Sequence, residues 1–83
     1  MRRYTFVVKV YEYTAIVEFD EESKVYVGHV SGLRGAHTYA DNLNDLQARL
    51  EEVVTLVLET MEESGDPIAP DSFVGIQKVT VEI

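Results

Sequence analysis

Residues 30–42 read VSGLRGAHTYADN. Two glycines, Gly32 and Gly35, stand between an apolar strand-like run and a polar patch. Asn42 then precedes a long apolar-periodic segment. A phosphate-cradling loop would place backbone N–H groups at a helix N-terminus directly after its glycines. Here six residues separate Gly35 from Asn42, their composition is extended, and no Lys-Ser or Lys-Thr follows. The glycines are therefore read as turn residues that take positive φ. The stretch then means strand, turn, short strand, helix cap.

The helix signal downstream is strong. Asn42 is a good N-cap, with Asp45 three residues on, as in a capping box. Leu43, Leu46, Leu50, Val53, Val54, Val57, Leu58 and Met61 recur at helical spacing. Glu51, Glu52, Glu59, Glu62 and Glu63 fall mostly off that stripe. Ser64-Gly65 and then Pro67 supply the stop. The predicted helix, about Leu43 to Glu63, spans ~30 Å. It is long enough to cover one face of a small sheet or to overhang it and meet another subunit.

Upstream, Tyr4 to Phe19 has strand composition. Tyr4, Phe6, Val8 and Val10 share one face, and Tyr11, Tyr13, Ala15, Val17 and Phe19 share the other. A bulge or bend near Val10–Glu12 accounts for the change of phase. Asp20-Glu21-Glu22-Ser23 is a charged turn, and Lys24 to Val30 is the second strand of a hairpin. Ala36 to Ala40 is a short third strand. Asp66 to Ser72 holds both prolines and is a loop. Phe73 to Ile83 is a last strand, with Val79, Val81 and Ile83 on one face and Thr80 and Glu82 on the other. The order β-β-β-α-β predicts an α+β fold: a small, mostly antiparallel sheet with one long helix on one face.

At 83 residues the chain is expected to form a single domain, 1–83, with residues 1–12 as an N-terminal strand extension. A chain of this size buries only about 60–65% of its unfolded surface, which favours oligomers. With no cysteine there is no disulfide framework and no thiolate metal site, as fits a reducing cytoplasm. No leader is expected from Met1-Arg2-Arg3, and every apolar run is far shorter than the ~18 residues of a membrane helix. Seven basic residues against fifteen acidic ones give a net charge of −8. That sign repels nucleic acid and attracts a basic protein, or simply keeps a small protein soluble.

Catalytic constellations are weak. His29 and His37, with Asp41, lack a recognisable ligand spacing, so surface or edge histidines are preferred to a metal site. Asp20, Glu21 and Glu22 splay from one turn, whereas a two-metal nuclease needs carboxylates converging from different elements. The serines all fall in predicted turns, and no nucleophile elbow occurs. The five tyrosines lack the interleaved Lys and Arg of a base-stacking surface, so packing is the better role for them. No enzyme activity and no cofactor are expected. A magnesium-dependent nuclease activity lost on Glu18→Gln would revive the hydrolase alternative.

The stretch Tyr13–Pro70 resembles the HicB-like antitoxins. Tyr26 matches their strand tyrosine, and Ser31-Gly32-Leu33-Arg34-Gly35 matches their Pro-x-Leu-Pro-Gly turn. Thr38, Ala40 and Asn42 match the segment before the helix, and Ile68-Ala69-Pro70 matches the loop after it. Both turn prolines are absent, Ala40 stands for a glycine, and Asn42 stands for a capping threonine. The resemblance implies a partial ribonuclease H-like fold without its catalytic carboxylates. It also implies homo-oligomers, and a partner: a small basic ribonuclease toxin whose active site is covered. Many members carry a C-terminal DNA-binding domain. The last predicted strand here reaches Ile83, so direct DNA binding is not expected. Glu18, Asp20, Glu21 and Glu22 are candidate partner contacts, chosen for charge and exposure. Tyr4, Phe6, Val8 and Val10 are candidate oligomer contacts. The alternative is a stand-alone homo-oligomer, a dimer or tetramer with a structural or regulatory role. On that reading, deleting residues 1–10 changes the oligomeric state.

Overall fold

The computed structural model describes residues 9–83. Three strands, β1 (Ala15–Asp20), β2 (Val25–Val30) and β3 (His37–Ala40), are followed by one long helix, α1 (Leu43–Ser64). The strands form an antiparallel sheet in the order β1-β2-β3, and α1 packs on β2 and β3. The α+β arrangement is the one the sequence predicts.

Local chemistry explains each junction. The Asp20 carboxylate accepts the Glu22 N–H at 3.1 Å and the Ser23 hydroxyl at 3.1 Å, closing the β1–β2 turn. Gly32 and Gly35 both lie at φ 85°, as expected of turn glycines. The turn they make is short and apolar inside: Val30 N–H donates to the Ala36 carbonyl at 2.9 Å, and Leu33 is buried beneath it. Asn42 caps α1, its Oδ1 accepting the Asp45 N–H at 2.8 Å while its Nδ2 donates to the Asp45 carboxylate at 3.0 Å. Beyond Ser64, Gly65 N–H donates to the Glu62 carbonyl at 3.1 Å and Asp66 N–H to that of Met61 at 2.9 Å.

Opposed residues in the register share a face, so Val17, Gly28 and Thr38 lie together, as do Phe19, Tyr26 and Ala40. Leu50 lies against Gly28, so this is the helix face. The core has two small parts. Val30, Leu33 and Ala36 pack with Val54, Val57, Leu58 and Met61. Ala40, Leu46 and Leu50 pack with Ala15 and Tyr26. Leu43, the first residue of α1, belongs to the predicted apolar stripe but is exposed.

Two expectations about the chain ends change. The predicted strand Tyr4–Phe19 becomes regular only at Ala15; residues 9–14 are not a strand, and Tyr4, Phe6 and Val8 lie outside the described residues. Val10 is exposed. Phe73–Ile83, predicted as a last strand, has no ladder partner among the described residues and is exposed along its whole length. A strand needs a neighbour for its N–H and C=O groups, and the segment leaves the body where β1 begins. Among the described residues no helix is long and apolar enough to cross a membrane.

Candidate functional site

The face of the sheet opposite α1 carries Ile16, Glu18 and Asp20 on β1, Val25, Val27 and His29 on β2, and His37 and Tyr39 on β3. His29 opposes His37 directly, and Glu18 lies in the row of Val27 and Tyr39. The two histidines that are eight residues apart in sequence thus form a cross-strand pair, both exposed. Asp41 lies past the end of β3 and does not join them. Among the described residues no three His, Cys, Asp or Glu side chains gather as metal ligands.

The four candidate acidic contacts separate into two kinds. Glu18 projects from the open sheet face, and Glu22 from the turn; both are exposed and have no side-chain partner among the described hydrogen bonds and ion pairs. Asp20 is committed to the turn, as above, and Glu21 pairs with Lys24 at 2.9 Å. Of the four, Glu18 and Glu22 are therefore the free carboxylates among the described residues. The Lys24–Glu21 pair is exposed and contributes little.

At one border of this face, Arg49 reaches from α1 to β3. Its guanidinium donates to the Tyr39 carbonyl at 2.7 Å and sits 5.9 Å from the Tyr39 ring. That contact occupies part of the outer edge of β3. At the other border the outer edge of β1 has no partner among the described residues. Here α1 leaves Val17 and Phe19 uncovered, 44% and 43% exposed on the helix face. An open groove of about 1070 Å³ results, floored by Val17, Val30, Leu50, Val54 and Leu58 and rimmed by Glu12, Glu51, Glu59 and Glu62.

The loop after α1 is tied to the start of β1. The Tyr13 hydroxyl donates to the Ala69 carbonyl, and the Thr14 N–H donates to the Asp71 carboxylate at 2.7 Å. The Phe73 N–H donates to the other Asp71 oxygen at 3.0 Å. The hydrogen bond from Thr14, then that from Phe73, holds the Asp71 carboxyl below the usual range for aspartate. Desolvation, with the nearby Tyr11 and Asp71, pushes the Tyr13 hydroxyl up. Sequence reasoning missed Arg49 and Asp71, because each acts on a backbone distant in sequence and neither belongs to a local motif.

Three relatives align with the chain. A UPF0150 protein of Thermotoga maritima is 43% identical over 70 residues, covering 84% of this chain and 89% of its own. The chain belongs to the UPF0150 family. Two further UPF0150 proteins, from Archaeoglobus fulgidus and a Synechocystis species, are 34% and 31% identical. They cover 86% and 84% of this chain and 96% and 94% of their own lengths. No family model matches the chain, and no solved structure matches at a significant level. The UPF0150 name states no activity, so function rests on the surfaces described above.

Proposed function

We propose that this UPF0150 protein is a non-enzymatic, HicB-like binding module of the cytoplasm that neutralises a small basic ribonuclease by covering its active site. The observation that carries this reading is the pair of uncommitted carboxylates, Glu18 and Glu22, on and beside an open sheet face of a chain with net charge −8. A surface of this sign draws a basic partner in and orients it before contact. The resemblance of Tyr13–Pro70 to HicB-like antitoxins supports the same partner class. Asp20 and Glu21 would act by fixing the turn that presents Glu22, rather than by touching the partner.

The test is a pull-down of the tagged protein from its native lysate at low and high ionic strength. A small basic protein recovered at low salt, lost at high salt and weakened by Glu18→Gln with Glu22→Gln is the expected result. Recovery of nothing but the chain itself overturns it. The second reading, a stand-alone homo-oligomer, is favoured by the exposed apolar segment Phe73–Ile83.

A further inference from the structure

We propose that Phe73–Ile83 is a β-strand exchanged between two copies of this chain. It pairs along the free edge of β1 in the second copy and lays Val79, Val81 and Ile83 into the groove between that copy's β1 and α1. The inference rests on the oligomeric reading and is independent of toxin binding.

The segment has the pattern of a buried strand but no burial. Val74, Ile76, Val79 and Val81 are each three-quarters or more exposed. Val79, Val81 and Ile83 share one face, while Val74 and Ile76 sit on the opposite parity. One seat cannot take both halves, so the groove is assigned to the 79–83 half. The chain exposes 7560 Å², against about 5,000 Å² for a compact monomer of its mass. Covering that excess on both copies would bury about 5,000 Å² in total, at the upper end of the ~2,000–5,000 Å² that obligate homodimers bury. The radius of gyration is 16.9 Å, against about 12 Å for a compact chain of this length.

The vacant seat is on the same molecule. Among the described residues it has an unpaired strand edge, which supplies the missing ladder, and an apolar floor, which supplies the missing burial. The segment does not reach its own seat. Asp71 holds the chain to Thr14 at the start of β1, Ser72 lies 3.4 Å from the Ser31 carbonyl, and the residues that follow run outward. The long axis is 72 Å, against 26 and 20 Å for the other two. Eleven residues of extended chain reach ~36 Å, ample to lie along a six-residue β1 in a neighbour. An exchange in which each copy gives one strand and receives one is two-fold and closed, leaving neither tail exposed. A foreign strand would fill the groove but leave this chain's own tail uncovered.

The closing experiment is sedimentation of the full chain, with Val79→Asp/Val81→Asp as the variant. A dimer is expected for the natural sequence, strengthened by salt because each copy carries −8. The variant is expected to weaken it about 100-fold or more, since each aspartate would put a charge into the groove. Toxin binding weakens with salt, so the two readings fail separately. The chain lacks cysteine, which makes introduced thiols unique. Val17→Cys chains refolded together with Val81→Cys chains should be linked to each other by a short bifunctional thiol reagent. A monomeric natural chain, a dimer indifferent to the two aspartates, or linkage confined within single chains of a Val17→Cys/Val81→Cys double variant would each overturn the proposal.

Discussion

Gly28 is the residue on which the helix–sheet contact turns. A Cβ built there would stand 3.0 and 3.2 Å from the two methyl groups of Leu50 and 3.5 Å from a methyl of Leu46. The fork of Leu50 straddles the missing side chain, and that lets α1 come down onto β2. Gly28→Val is expected to cost about 1–3 kcal/mol by overpacking, read as a lower urea midpoint with an unchanged slope. Gly28→Ala should cost less, because a leucine methyl can yield a few tenths of an ångström. A lone glycine inside a strand carries no hint in the sequence of what approaches it; the turn glycines Gly32 and Gly35 were legible because their neighbours are turn residues.

The elements differ in how well they declare themselves. The helix is specified at both ends by side chains within reach of their own backbone, and its stripe is read correctly from Leu46 to Met61. Asn42→Ala should cost about 1 kcal/mol, measured by denaturant unfolding, since it removes the acceptor for the Asp45 N–H. The last turn of α1 carries Glu62 and Glu63 and no basic residue, an unfavourable match to the helix dipole. Lys9 lies 3.9 Å from Glu62 in an exposed pair that offsets only part of this. The terminal segments declare strand composition but not their partners. Alternation in Phe73–Ile83 predicts a strand, and only geometry reveals that, among the described residues, no strand of its own sheet lies beside it.

For the whole molecule, the tether at Asp71 fixes where the segment Phe73–Ile83 leaves the body. Its carboxyl is held below the usual range, so it binds a proton less readily folded than unfolded. Its stabilising contribution is therefore complete above the ordinary aspartate value and is lost as pH falls through the lowered one. Urea midpoints measured from pH 7 down into acid should fall for the natural chain below about pH 4. The decline should be shallower for Asp71→Asn, which loses this group's titration. An equal slope in both would mean that the Thr14 and Phe73 hydrogen bonds do not distinguish carboxylate from carboxylic acid.

By itself the sequence determined the α+β class, the β1–β2 turn, the positive-φ glycine turn, and the helix with its cap and stop. Each depends on forces between residues near in the chain: backbone sterics, side-chain capping and periodic hydrophobicity. The acidic balance was equally legible. Only the tertiary structure decided that Asp20 and Glu21 are engaged while Glu18 and Glu22 have no partner among the described residues. It alone brought His29 against His37, closed part of the β3 edge with Arg49 and, among the described residues, left β1 open beside a groove. These depend on strand register and on where the helix lands across the sheet, which are fixed by contacts between residues far apart in sequence.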